Sequence, residues 1–141
     1  GDPKLIAALR QFRHYAGPQL SMPIQAASAA ARGDEAQFAR NRAMFAERFE
    51  AARDVLGNRI RVPEGGMFLW MQVGDGVEAT LKLWREGGIR VLPGAYMGRE
   101  TEPGKPQSNP GFSYIRVALV SDLSTIKAAL ARMGEILGGG H

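Results

Sequence analysis

The segment Ser113-Tyr114-Ile115-Arg116-Val117-Ala118-Leu119 constrains the chain more than any other stretch, because it reads as an apolar strand interrupted by one arginine. A guanidinium in such a place needs a carboxylate or phosphate partner, since burying it unpaired is very costly. Strict two-residue alternation puts Arg116 on one face with Tyr114 and Ala118 and turns Ile115, Val117 and Leu119 to the other. The aliphatic face is therefore the core side of a sheet, and the arginine face looks into a cleft or solvent. From spacing alone, the plainer alternative is favoured: an exposed arginine on the polar face of a half-buried strand.

Helical patterns surround this strand. Asp2 as cap and Pro3 in the first helical position open a short helix with Leu5, Ile6, Leu9 and Phe12 on one face, ending before Gly17-Pro18. A second helix from about 23 to 31 is almost all small residues, with Ser21 as cap candidate, and such a helix can approach a neighbour closely. Gly33-Asp34-Glu35 restarts the pattern, which runs to about Leu56 and carries a stripe of Phe38, Phe45 and Phe49 that predicts core. From Gly57 the pattern alternates: Ile60 and Val62, then Met67 to Val73, predict two strands joined by a turn at 63–66. A helix over 77–86 ends at Gly87-Gly88, where glycine suits a left-handed cap, and 89–92 is a short strand stopped by Pro93-Gly94. Residues 98–112 form a long irregular loop, 113–120 the last strand, and Ser121-Asp122 caps a closing helix over 123–137 before a frayed tail. This order predicts a two-layer α+β fold, with a small, mostly antiparallel sheet and flanking helices, behind an N-terminal connecting helix. It also fits a ferredoxin-like module, from which strand order should separate it.

Composition removes several classes of function. A chain of 141 residues, 45% apolar and 23% charged, holds one compact domain with a real core. Its fourteen arginines and four lysines are interspersed with acids such as Glu47, Glu50 and Asp54, so a net charge of +4 makes no basic stripe for a nucleic acid. Without cysteine there is no disulfide framework, thiolate metal site or cysteine nucleophile, which suits a reducing cytoplasm. His14 and His141 have no supporting carboxylates and predict no metal site. No serine sits in a nucleophile elbow, and no signal pattern or membrane-length apolar run is present, so the chain reads as soluble.

Three segments in order, Gly65-Gly66-Met67-Phe68-Leu69-Trp70, Val91-Leu92-Pro93-Gly94 and Tyr114-Ile115-Arg116, resemble the C-terminal small domain of a class I/II (fold type I) pyridoxal-phosphate-dependent aminotransferase. With Gly1-Asp2-Pro3 and Ser21-Met22-Pro23-Ile24-Gln25, the resemblance covers essentially the whole chain. It implies that Arg116 holds the substrate α-carboxylate by a bidentate fork, a task for which lysine is not equivalent. It also implies that Gly66, Phe68 and Tyr96 line the substrate pocket, with Trp70 beside Phe68. In the family the Schiff-base lysine lies upstream of a Gly-Asp-Pro like residues 1–3, so no catalytic residue is expected here; Lys4, Lys82, Lys105 and Lys127 all lack its context. The resemblance further implies a parent that uses pyridoxal 5'-phosphate, exchanges an amino group between an amino acid and a 2-oxo acid, and works as a cytoplasmic homodimer. Residues 1–32 then connect to a missing large domain, 33–137 are the small domain and 138–141 the tail. The isolated chain is expected to be inactive and to self-associate through its apolar N-terminal region. The competing reading is a non-catalytic, ferredoxin-like, small-molecule-binding regulatory module.

Overall fold

The computed structural model describes residues 1–17 and 20–138; Pro18, Gln19 and the last three tail residues, His141 among them, lie outside the described residues. The chain divides into two compact units, Gly1–Asn41 and Arg42–His141.

In the first unit, α1 spans Pro3–Ala16 and α2 spans Met22–Arg32, and α3, Glu35–Leu56, begins there and continues into the second. The capping logic of the sequence holds at α1, where the Asp2 carboxylate accepts from the backbone N–H of Lys4 at 2.7 Å and of Leu5 at 3.4 Å. Asp34 does the same for α3 through the Gln37 N–H at 2.8 Å. Ser21 precedes α2, but its hydroxyl makes no capping bond. Neither α1 nor α2 buries a residue, so Leu5, Leu9 and Phe12 form an apolar face left exposed.

The second unit is a two-layer α+β arrangement. Strands β1 (Phe68–Gln72), β2 (Leu92–Pro93) and β3 (Tyr114–Ala118) form a sheet in the order β1-β3-β2. Both outer strands run antiparallel to β3, hence parallel to each other, and α4 (Gly76–Gly87) connects them. This is a split β-α-β unit, which ferredoxin-like folds share, so strand order alone does not part the two readings. Alternation decides the faces as expected: Leu69, Met71, Ile115 and Val117 are buried. They meet Phe49, Ala52 and Leu56 of α3, Leu83 of α4, and Ile126, Leu130 and Met133 of α5 (Leu123–Gly138). Helix α4 starts on Asp75, which accepts from the N–H groups of Val77 and Glu78 at 2.9 Å, and ends on Gly88 in the left-handed conformation.

Three local expectations are corrected. Ile60 and Val62 form no strand: Ile60 is extended, yet the pair has no ladder partner and instead packs, partly buried, against the core. Pro63 lacks an N–H, and the bends at 64–67 are longer than the two-residue turn of a tight hairpin. The strand placed at 89–92 shifts to Leu92–Pro93, where proline is tolerated on a sheet edge. The phenylalanine stripe also divides, with Phe49 buried, Phe45 partly buried against the core and Phe38 exposed.

The Asp122 carboxylate caps α5. It accepts from the Ser124 hydroxyl, the Thr125 N–H at 2.9 Å and the Thr125 hydroxyl at 2.7 Å, which together hold it far below the ordinary carboxylate range. A lowered folded pKa means that the stability it contributes is fully present above the unfolded value, near 4 for an aspartate. That contribution is lost as the pH falls toward the folded value. Asp122→Ala is therefore expected to lower the melting temperature at neutral pH and to flatten the acid limb of the stability profile. An acid limb identical to wild type would show that Asp122 is not part of it.

Candidate functional site

Arg116 occupies the middle of the central strand, paired with Trp70 of β1 on one side and Leu92 of β2 on the other. Its register puts it on the face opposite the core, together with Phe68, Trp70, Gln72 and Tyr114. The strand alternation read from the sequence is thus correct at this residue. Arg116 is half-buried, and its guanidinium carbon lies 4.3 Å from the centroid of the Phe68 ring. Trp70 stacks on Tyr114, centroids 5.4 Å apart and planes 15° from parallel. Both pairs are diagonal cross-strand neighbours, within reach of aromatic and long side chains.

No carboxylate among the described residues pairs with the Arg116 guanidinium. Ion pairs among the described residues join Arg53 to Glu50 and Lys105 to Glu102, and no described hydrogen bond involves Arg116. The arginine that is buried is one sequence reasoning passed over, Arg48 of α3. Its Nη1 donates to the Leu119 carbonyl at 3.0 Å and its guanidinium lies over Phe45, so it ties α3 to the end of β3. The signal for it was weak, because on a helix rich in arginine nothing marks one as inward-facing.

Of the expected pocket residues, Phe68 is brought to Arg116. Gly66 adopts a φ of 98°, a left-handed value that favours glycine, in the exposed turn before β1. Tyr96 lies on a 3-10 turn after β2, strongly exposed and without a described hydrogen bond or ring contact, so it is not joined to Arg116. Beside the Trp70–Tyr114 pair, a cleft of about 750 Å³ is lined by Trp70, Gln72 and Tyr114 and by the chain at 58–64.

The loop at 98–112 is irregular but well tied. Asn109, which no sequence motif singled out, is buried; its Nδ2 donates to the Ala95 carbonyl and its Oδ1 accepts from the Gly111 N–H, both at 2.9 Å. Gly111 lies backbone to backbone on Gly94: a Cβ at Gly111 would come 2.2 Å from the Gly94 oxygen, and one at Gly94 would come 2.9 Å from Trp70 Cη2. Gly111→Ala must therefore move main chain rather than a side chain, and is expected to cost about 1–3 kcal/mol in urea unfolding. Gly65→Ala, with nothing within 4 Å of its would-be Cβ, should change stability by under about 0.5 kcal/mol. Equal losses at the two positions would contradict this packing.

Lys82 and Lys127 belong to α4 and α5, which pack on the other face of the sheet, Lys105 lies in the exposed loop, and Lys4 belongs to the first unit. Among the described residues no helix is long and apolar enough to cross a membrane.

No family model matches the chain. It is 36% identical over 136 residues to the 4-dedimethylamino-4-oxo-anhydrotetracycline transaminase of Streptomyces rimosus, a match covering 94% of this chain and 35% of that protein. It is 30% identical over 136 residues to a probable aminotransferase of Mycobacterium tuberculosis, covering 94% of this chain and 30% of the relative. A crystal structure of an aminotransferase from Neisseria meningitidis superposes with a TM-score of 0.78 at 34% identity, over 97% of this chain and 35% of the other. An aminotransferase of Helicobacter pylori follows with a TM-score of 0.72 at 30% identity, over all of this chain and 35% of its own. The chain thus spans about a third of the length of these relatives. By sequence and by fold, it belongs to the aminotransferases and corresponds to a small-domain segment of them.

Proposed function

We propose that the protein containing this chain is a pyridoxal-phosphate-dependent aminotransferase and that Arg116 holds the α-carboxylate of its amino acid and 2-oxo acid substrates. The observation that carries this reading is the state of the Arg116 guanidinium, which stands on the open face of the sheet without any described carboxylate. A permanently charged, planar group with parallel donors matches a carboxylate in two-point fashion. The likeness to aminotransferases supplies the reaction class. Pyridoxal phosphate, where bound, supplies the electron sink for chemistry at the substrate α-carbon. The lysine and the groups that hold this cofactor belong to segments outside the chain, and this chain binds and orients the substrate.

In this reading residues 1–32 connect to the larger domain, 33–137 form the small domain, and the parent is a cytoplasmic homodimer. The exposed apolar face of α1 and α2 then belongs against other parts of the protein. The isolated 141-residue chain is expected to self-associate through it, and a strictly monomeric species at high micromolar concentration in sedimentation would contradict that.

The deciding experiment assays the full-length protein with pyridoxal phosphate for amino transfer from a panel of aspartate-like, aromatic and succinyl-diaminopimelate donors to 2-oxo acids. Turnover by the full-length protein but not by the 141-residue chain is the expected result. Absence of transfer from every donor by cofactor-loaded, full-length protein, or turnover by the chain alone, would overturn the proposal.

A further inference from the structure

We infer that Phe68 is a positioning residue for Arg116: its ring takes one face of the guanidinium and leaves the donor edge open for a carboxylate. The inference rests on the carboxylate role proposed for Arg116. The geometry is that of a cation over an aromatic face, with the guanidinium carbon 4.3 Å from the ring centroid. An arginine side chain is long and rotamer-rich, and ordering it at the moment of binding would subtract from affinity. Hydrogen bonds to a guanidinium lie in its plane, whereas a ring attracts it through the face, so the two do not compete. A carboxylate held nearby would order the same side chain but block its edge, and Arg116 is in no described ion pair or hydrogen bond.

The surroundings explain why Phe68 has this task. Phe68 opposes Ala118, which is too small to occupy the space above the strands, so the ring and Arg116 meet on the diagonal. Trp70, directly opposite Arg116, is engaged with Tyr114 in a near-parallel stack. Leu92 on the other strand offers no aromatic face.

The test is steady-state kinetics of the full-length, cofactor-loaded protein with residue 68 changed. Phe68→Leu keeps bulk and removes the ring, and is expected to raise KM for the amino donor about three- to fivefold. kcat should stay within about twofold, because the ring acts before chemistry. Phe68→Tyr should restore KM. Incorporating pentafluorophenylalanine at 68 preserves shape while reversing the ring's charge distribution, so it should raise KM as leucine does, even if the leucine variant fails to fold. An unchanged KM with the fluorinated ring, or a Phe68→Tyr variant as impaired as the fluorinated one, overturns the inference. Arg116→Lys in the same series separates the two levels. A raised KM for Arg116→Lys with no response at residue 68 sinks only the positioning role, whereas indifference to both removes the carboxylate assignment beneath it.

Discussion

Replacing Arg116 by alanine in the full-length protein is expected to lower kcat/KM for amino acid substrates by roughly 30-fold to several thousand-fold. That range corresponds to the ~2–5 kcal/mol lost when one partner of a desolvated charge pair is removed. Arg116→Lys keeps the charge but not the parallel donors, and should lose about 1.5–3 kcal/mol, roughly ten- to 150-fold. Neither change should disturb folding much, because within this chain the side chain's described contact is with the Phe68 ring. Such a contact is worth about 0.5–1 kcal/mol at an exposed site. The informative measurement pairs kinetics with a melting curve. A variant with unchanged kinetics refutes the assignment, and one that loses activity only in proportion to lost folded protein does so as well.

The second large effect is expected at Leu69, one residue beyond Phe68 on the same strand and on the opposite face. Its side chain is wholly buried in the core, where β1 meets the helices. Leu69→Ala should destabilise the second unit by about 2–5 kcal/mol, the lost transfer energy plus the cavity left behind. Gln72→Ala, exposed at the end of the same strand, should stay within about 0.5 kcal/mol. Urea midpoints of the two variants measure how one-sided the sheet is. Comparable losses would mean that β1 is packed on both faces within this chain, contrary to the open face on which Arg116 stands.

Phe68 and Leu69 show how far local pattern reaches. Which face of β1 and of β3 is apolar follows from the two-residue period of an extended chain, so the sides taken by Arg116, Ile115 and Val117 were readable directly. Helix starts at Asp2, Asp34 and Asp122 were equally readable, because a cap needs only a side-chain oxygen and an N–H two or three residues on; the Asp75 cap of α4, of the same kind, was not read. These are contacts between neighbours in the chain. The family resemblance depended on short motifs of the same kind, and the matched aminotransferases agree with it.

Other features depend on residues far apart. Ile60 and Val62 have the alternation of a strand, but a strand also needs a partner with free donors and acceptors, and only the assembled sheet decides who receives one. Leu92 and Pro93 win the edge of β3 although their residue types argue for it less. Arg48 finds the Leu119 carbonyl 71 residues away, and Asn109 finds Ala95 across its own loop. Neither pairing leaves a periodic trace. By itself, the sequence determined the α-helices, the starts of several of them, the sidedness of the sheet and the family, all properties of local spacing and residue type. Tertiary structure alone decided which extended segments pair, which arginine is buried and which ring lies under Arg116, because each is settled by packing and hydrogen-bond competition among groups that meet only once the chain has folded.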